Sequence, residues 1–210
     1  MTTATSETIP ASTRRMRPLL KVAIAVVAIE LLSALLAPWI APYPPDATDA
    51  AAALQSISWR HPLGTDLYGR DQLSRIIFAA RIDLSVAFAA TAAAVVIGSL
   101  LGAIIGYRGG WVDHIAMRPV DAIMAFPAFV LAMGITAALG NSTVNVAIAI
   151  SITQVPSYLR LIRGEMLRIR EMEYADAART VGNPTWRIVL IHLLPNCMPP
   201  LIVQATLAMG

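Results

Sequence analysis

The chain has 210 residues, of which 57% are hydrophobic and only 14% are charged, and its mean hydropathy is +0.64. A water-soluble domain of this size needs more charge to cover its surface, so the composition indicates a membrane protein. Cys197 is the only cysteine, which excludes a disulfide-bonded framework. The net charge of +3 does not indicate a nucleic-acid partner, because the basic residues flank apolar runs and form no single patch.

Apolar runs predict the membrane-spanning segments. A span needs about 20 apolar residues, and runs of this length recur along the chain. One uncharged stretch is long enough for two spans, and we divide it at the turn-forming residues 140–143. We therefore predict an all-α polytopic membrane bundle with an N-terminal tail at 1–18. The five predicted spans lie at about 19–41, 84–107, 120–139, 143–162 and 188–210.

Basic residues predict the orientation of the bundle. Four of them precede the first run: Arg14, Arg15, Arg17 and Lys21. The positive-inside rule then places the N-terminus in the cytoplasm, and alternation puts 108–118 and 160–187 on the same side. These inner segments hold 12 of the 16 Lys and Arg residues. A cleavable or twin-arginine export signal is the alternative, but the run is long for a signal, contains Glu30 and precedes further spans.

Two polar features of the first half leave alternatives open. Glu30 lies inside an apolar run, where a carboxylate normally faces protein or water. The position of Glu30 is consistent both with a role in a polar pathway and with pairing with a neighbouring subunit. Further along, His61, Asp66 and Asp71 are candidate metal ligands, but their spacing matches no compact ligand pattern. We predict no metal there, and expect a turn-rich loop that leads into an amphipathic helix.

The prolines and the polar residues inside the predicted spans can each be interpreted in two ways. The prolines predict kinks around a cavity or simple helix packing, and they are Pro127, Pro156, Pro195, Pro199 and Pro200. The polar residues could contact a cargo or link helices, and they are Thr136, Ser151, Thr153 and Gln154. No residue is assigned to substrate binding.

Residues 173–182, EYADAARTVG, form a polar and alanine-rich island between apolar runs. Helical spacing places four residues on one apolar face: Tyr174, Ala177, Ala178 and Val181. Gly182 suits the left-handed position after a helix, and Asn183-Pro184 suits the N-cap and first position of the next. A helix on the lipid surface usually sets large apolar residues against lysine and arginine. This face is small and its surroundings have mixed charge, which favours docking to a protein.

Three motifs carry a resemblance to a known family. Asp176-Ala177-Ala178, Gly182 and Leu194-Pro195 resemble the EAA-x3-G-x9-I-x-LP motif of bacterial ABC importer permeases. HPLGTDLYGRDQLSR, which starts at His61, and YRGGWVD, which starts at Tyr107, are similar to stretches of the C-type subunit in the dipeptide/oligopeptide/nickel permease family. Two positions depart from the general motif: Asp176 replaces Glu with the same charge, and His192 replaces Ile.

The resemblance covers the chain from Pro18 onward and implies a type I ABC importer permease fold in the bacterial inner membrane. It implies a transmembrane subunit of an ATP-driven importer for short peptides, nickel complexes or other small solutes. A coupling-helix loop at 163–187 would meet a cytoplasmic ATPase through Glu173, Tyr174, Asp176, Ala177, Ala178, Arg179 and Gly182. The other implied partners are a second, B-type permease subunit, an extracytoplasmic solute-binding protein and membrane lipid.

Family members usually have six spans, and this chain stops at Gly210 inside the fifth. We therefore expect a fragment or a truncated form of a longer subunit.

The sequence also bears on catalysis. Lys21 is the only lysine, so the chain has no P-loop, whose lysine holds nucleotide phosphates. We expect no cofactor, and ATP hydrolysis belongs to a partner. An intramembrane enzyme is the rival from another class, but Glu30, His192 and Cys197 are joined by no catalytic spacing, so no catalytic residue is assigned. An ATP-independent channel or secondary transporter is the other alternative, and neither accounts for the island at 173–182.

Overall fold

The computed structural model describes residues 16–209, with side chains from Pro18 onward. Every regular element in that part of the chain is helical, which confirms the predicted all-α class. The helices are α1 (Met16–Ile40), a short 3-10 turn (Ala50–Ala52), α2 (Gln72–Arg108), α3 (Gly110–Met124), α4 (Ala128–Leu139), α5 (Thr143–Ile169), α6 (Glu173–Thr180) and α7 (Thr185–Ala208). The chain divides after Asp83 into two compact units, which are described separately.

In the first unit, α1 is a long apolar helix whose side chains are almost all exposed, except for Ala34 and Ala37. Glu30 is among the exposed residues. The helix ends at Ile40, shortly before Pro44 and Pro45, which cannot donate a backbone hydrogen bond. Exposed apolar side chains along a helix of this length are expected where the solvent is lipid.

The loop that follows α1 is ordered by two aspartates. Asp71 precedes α2 and accepts hydrogen bonds from the backbone N–H and the hydroxyl of Ser74, at 2.8 and 2.7 Å, as an N-cap residue does. Its other oxygen lies 2.9 Å from Nδ1 of His61. The predicted turn-rich loop that leads into a helix is therefore present, and Asp71 caps that helix.

Asp66 is held by arginines in the same loop. Desolvation by burial would raise its pKa, but hydrogen bonds from the backbone and guanidinium of Arg70 and from the backbone N–H of Tyr68 outweigh it and lower the pKa to about 2. Arg75 adds a further contact to the Asp66 carboxylate at 2.7 Å. Asp66 thus faces cations, while His61 contacts Asp71. Among the described residues, no group of three His, Cys, Asp or Glu side chains can hold a metal ion.

In the second unit, three glycines of α2 press against α5. The glycines are Gly98, Gly102 and Gly106, spaced four residues apart. A Cβ atom built on Gly102 would lie 2.5 Å from the backbone oxygen of Leu159, and one on Gly106 would lie 2.8 Å from that of Arg163. The contacted residues advance along α5 as the glycines advance along α2, so the helices run parallel. Small residues at such spacing let membrane helices approach closely.

Two clusters of buried side chains lie in this unit. The larger cluster joins α5, α6 and α7 to alanines of α2, and its members include Ala94, Ala103, Ile162, Met166, Ala175, Ile188 and Leu193. In hydrocarbon such packing stabilises through van der Waals contact, because lipid chains are as apolar as the side chains. The stability of a contact between two helices therefore depends on how well their surfaces fit together, and small residues improve that fit.

The segment between α2 and α5 is bent. We predicted an inner segment over 108–118 and a membrane span over 120–139 with a kink at Phe126-Pro127, whereas α3 occupies most of the first range and ends at Met124. The chain turns by 87° before α4 starts at Ala128. Pro127 has no N–H and disfavours helical geometry at Phe126, which explains the break. The kink predicted at Phe126-Pro127 is thus confirmed and is close to a right angle.

Three helices in the described part are long and apolar enough to cross a membrane: Pro18–Ile40, Gln72–Arg108 and Thr185–Ala208. The pair α3 and α4 passes the same test only as one bent unit, which makes up to four. α5 covers the predicted fourth span and continues to Ile169, with arginines in its second half, and it is not among these helices.

α7 is irregular near its start. It contains a π-helical turn at Ile188–Leu193 and a 3-10 turn at Leu194–Cys197. Pro195 lies in the second of these turns, where its missing N–H removes a helical hydrogen bond. The irregularity predicted at Pro195 is therefore present.

The hydroxyls of Thr136 and Thr153 donate within their own helices, to Ala132 and Ile150. They satisfy the backbone of one helix and do not link two.

Candidate functional site

The island at 173–182 folds as a short helix at the end of α5. α6 begins at Glu173, after Met172 adopts an extended backbone conformation. Glu173 and Asp176 lie in its first turn and Arg179 in its last, which is the order that favours the helix dipole. We call residues 170–187 the α6 segment.

Gly182 ends the helix in the left-handed conformation that its sequence predicts, with φ of +80°. Its N–H donates to the carbonyl of Arg179 at 2.9 Å. The prediction for Asn183 was wrong. Its side-chain amide donates to the carbonyl of Ala178 at 3.1 Å, so it satisfies the end of α6, while Pro184 takes the N-cap position of α7. The physical reason is that α6 leaves unpaired carbonyls at its end, and Asn183 is near enough to reach one.

The inward face of α6 differs from the predicted apolar face. Ala175 is fully buried and Ala178 packs partly against the core cluster. Tyr174 and Val181 are exposed, with 39% and 81% of their surface accessible. Ala177 is exposed as well. The small residues at the inner side let α6 lie close to the bundle, so the exposed surface of α6 is centred on Ala177 and excludes most of Ala178.

Arg179 points back into the bundle and makes several contacts. Its guanidinium donates to Asp176 at 2.7 Å and to the backbone oxygen of Arg170 at 2.9 Å. It also lies over the ring of Tyr107, 5.6 Å from the centroid, and reaches the Tyr107 hydroxyl at 3.4 Å. The hydrogen bond with Tyr107, followed by that with Asp176, raises the pKa of Arg179. Arg179 therefore ties α6 to the end of α2.

Arg170 makes the second connection. Its Nη1 atom donates to the backbone oxygens of Gly106 and Tyr107, each at 3.1 Å. These carbonyls belong to the last turn of α2, where helical partners are missing. Arg170 and Arg179, which we call the arginine pair, thus fasten the α6 segment to α2. Arg170 does so through backbone oxygens of α2 and Arg179 through the side chain of Tyr107, and each such charged hydrogen bond is stronger than a neutral one.

Two further ion pairs join α5 to α3. Arg163 forms a bidentate ion pair with Asp113, whose carboxylate is largely buried. Arg160 donates to Asp121 at 2.7 Å in a more exposed position. α5 is thereby connected to α3 by charges and to α2 by close packing.

The comparisons with known proteins agree with this architecture. The family model of the binding-protein-dependent transport system inner membrane component matches residues 94–210, and that of the N-terminal TM domain of oligopeptide transport permease C matches residues 15–56. The chain is 40% identical over 193 residues to a probable D,D-dipeptide transport system permease protein of Escherichia coli, covering 92% of this chain and 65% of that relative.

Two other relatives are similar in the same way. A dipeptide transport system permease protein of Alkalihalophilus pseudofirmus is 40% identical over 189 residues, covering 90% of this chain and 62% of the relative. A glutathione transport system permease protein of Pectobacterium atrosepticum is 36% identical over 150 residues, covering 71% of this chain and 50% of the relative. The chain spans about two thirds or less of the length of these relatives.

The all-α fold with several apolar helices defines a multi-pass helical membrane protein. The chain belongs to the family of binding-protein-dependent transport system inner membrane components. The predicted resemblance is thereby confirmed, and these relatives are named as permease proteins.

The structure also shows features that the sequence interpretation missed. The glycine spacing in GSLLGAIIG, residues 98–106, was visible as a small-xxx-small pattern. The role of Arg170 had no comparable signal, because its acceptors are backbone oxygens 63 and 64 residues away in the chain.

Proposed function

We propose that the chain is the transmembrane permease subunit of an ATP-driven importer, with its α6 segment docked on a cytoplasmic ATPase. The observation that carries the proposal is the two-sided character of α6. Its outer side presents Glu173, Tyr174 and Ala177, while its inner side is fastened to the bundle by Ala175 and the arginine pair. A helix that is exposed on one side and anchored on the other suits the transfer of movement from a partner.

The proposal assigns the α6 residues two roles. Glu173, Tyr174, Asp176, Ala177 and Ala178 form or border the docking surface. Arg179 and Gly182 hold that surface in place, because Arg179 contacts Tyr107 of α2 and Gly182 sets the turn into α7. The remaining parts of the importer in this proposal are a second permease subunit and an extracytoplasmic solute-binding protein. The N-terminus lies in the cytoplasm, on the side of the arginine-rich 160–187 segment.

The proposed cargo is a short peptide or a related small solute. The matched relatives are named for D,D-dipeptide, dipeptide and glutathione transport, and these cargoes are peptides or peptide-like. Uptake by the complete complex in vesicles tests the transport mode. We expect uptake that stops when ATP is withheld, whereas uptake that continues without ATP would support a channel or a secondary transporter.

Cross-linking tests the docking surface directly. In a chain carrying Cys197→Ser, which has no thiol, Ala177→Cys places one on the exposed side of α6 and Ala175→Cys places one on its buried side. We expect a cysteine series along the ATPase surface to capture the thiol at position 177, at Cα separations of about 4.4–6.8 Å. The matched variant at position 175 should cross-link far less.

The alternative position of α6 is on the lipid surface. In that case the ATPase series captures neither thiol, and a lipid-soluble thiol reagent labels position 177 fully in the assembled complex. That pair of results would contradict the docking proposal.

Gly182 offers a test of the turn after α6. Gly182→Val should lower uptake more than the amount of protein in the membrane, because a β-branched residue at φ of +80° costs about 1–3 kcal/mol. A Cβ atom there meets nothing within 4 Å, so the cost comes from the backbone alone. Gly182→Asn is the control, since asparagine tolerates this conformation, and it should retain most of the uptake. Equal uptake by the valine variant and the wild type would show that the turn is dispensable.

A further inference from the structure

A groove separate from the exposed side of α6 lies between the end of α2 and the start of α7. It encloses about 400 Å³. Its lining includes Ile104, Tyr107 and Arg108 of α2, and Trp186, Val189 and Leu190 of α7. Arg179 contacts the lining residue Tyr107, and the docking surface proposed above does not include the groove.

The floor and the outer edge of the groove are apolar. Ile104 and Leu190 remain 47% and 40% exposed although they belong to helices that can cross a membrane. Val189 is buried below them. Hydrocarbon is the medium that surrounds such side chains at membrane depth, so an apolar chain is the ligand that fits this part.

The mouth of the groove is polar and lies at a membrane boundary. Arg108 is the last residue of α2 and directly follows the uncharged run 84–107, while α7 begins beside it at Thr185. Trp186 is 60% exposed at the same level, the position at which tryptophan is enriched in membrane proteins. Arg108 is exposed and has no hydrogen-bond or ion-pair partner among the described residues.

We propose that this groove binds one anionic glycerophospholipid, whose phosphate pairs with Arg108 and whose acyl chain lies against Ile104, Val189 and Leu190. An apolar helix of another protein would cover the apolar part but would provide no acceptor for the Arg108 guanidinium. A phosphodiester supplies the charge and two acceptor oxygens for the guanidinium. Basic pockets between membrane helices bind anionic headgroups for the same reason.

Native mass spectrometry of the purified chain with equimolar palmitoyl-oleoyl phosphatidylglycerol and phosphatidylcholine tests the proposal. We expect wild-type protein to retain phosphatidylglycerol preferentially. Arg108→Gln should lower the ratio of the two bound lipids about fivefold, the factor that one basic residue contributes near anionic lipid. Arg118→Gln removes the same charge from an exposed position on α3 outside the groove, and it should leave the ratio unchanged.

Two more variants separate binding from folding. Arg108→Lys keeps the charge and should retain most of the preference. Leu190→Trp fills the apolar part and should displace phosphatidylglycerol without removing any charge. Protection of the buried Cys197 thiol against a maleimide reports that each variant is folded.

Several results would overturn the proposal. One is a wild-type protein without lipid preference, and another is an equal loss in the Arg108→Gln and Arg118→Gln variants, which would mean diffuse attraction of anionic lipid. A third is the finding that the wild-type protein is a dimer and that Leu190→Trp dissociates it, because a second copy of the chain would then occupy the groove.

Discussion

Gly102→Val is expected to prevent the close approach of α2 and α5 and to lower the free energy of unfolding by about 3 kcal/mol. The first carbon of the new side chain would lie 2.5 Å from the backbone oxygen of Leu159 and 3.1 Å from the backbone nitrogen of Arg163. Backbone atoms cannot rotate away as the end of a side chain can, so the helices must separate. Separation removes contacts along the whole line from Gly98 to Gly106, which makes the effect large.

The measurement uses the buried thiol of the chain. Cys197 is fully buried, so a thiol-reactive fluorophore reports the temperature at which the detergent-solubilised bundle opens. Gly164→Ala is the matched control. Position 164 is a helical glycine on α5, and a Cβ atom there meets nothing within 4 Å. Alanine should stabilise it by roughly 0.5–1 kcal/mol through helix propensity. A valine variant at position 102 that melts with the wild type would refute the close packing.

The second large effect concerns the arginine pair. In the complete importer, Arg170→Gln and Arg179→Gln should each lower uptake about tenfold or more while ATP hydrolysis continues. Loss of a charged hydrogen bond costs about 1.5–3 kcal/mol, and 1.4 kcal/mol corresponds to a factor of ten. Arg170 holds two backbone oxygens of α2 and Arg179 holds one of Arg170. Without them, α6 can move with its partner while α2 stays behind.

Arg168→Gln is the control for the pair. Its guanidinium is exposed and, within the described part of the chain, bonds only to Glu165, one turn away on the same helix. Uptake and hydrolysis should both remain close to wild type. The cross-link from position 177 should also persist in all three variants, since the docking side is unchanged. Parallel loss of uptake, hydrolysis and cross-linking would show that the arginines hold α6 together and do not transmit its movement.

The sequence predicted the class of the fold because its signals are local. Apolar runs about 20 residues long, a Gly182 after a helix and the Phe126-Pro127 break each depend on a few neighbouring residues. The structure confirms all-helical architecture, the left-handed glycine and the kink. The sequence interpretation also recognised the family, because the motif around Asp176 and Gly182 combines fixed residue types with fixed spacing.

The remaining features depend on contacts between distant residues. Helical periodicity put Ala178 on the outer face of α6, but it cannot show which alanine meets the core, and the structure places Ala175 and Ala178 inward. Asn183 was predicted to cap the start of the following helix. Its side chain lies close to the carbonyl of Ala178, however, and bonds to the end of the preceding helix. Arg170 likewise finds its acceptors only after α2 and α5 have packed.

The parallel direction of α2 and α5 limits how often the chain crosses the bilayer between them. Two parallel helices that each traverse the membrane must be separated by an odd number of crossings. Only α3 and α4 lie between them, and at 1.5 Å per residue they are about 22 and 18 Å long, each too short for a hydrocarbon core of about 30 Å.

Joined at nearly a right angle, however, the legs α3 and α4 have ends about 29 Å apart. We propose that α5 crosses the bilayer as the sequence predicts, although its second half carries arginines; because it runs parallel to α2, the L-shaped pair then makes the single crossing between them. In this arrangement the two short helices, joined by the 87° bend, cross the bilayer once. The end of α2 at Arg108 and the α6 segment then lie at the same membrane face.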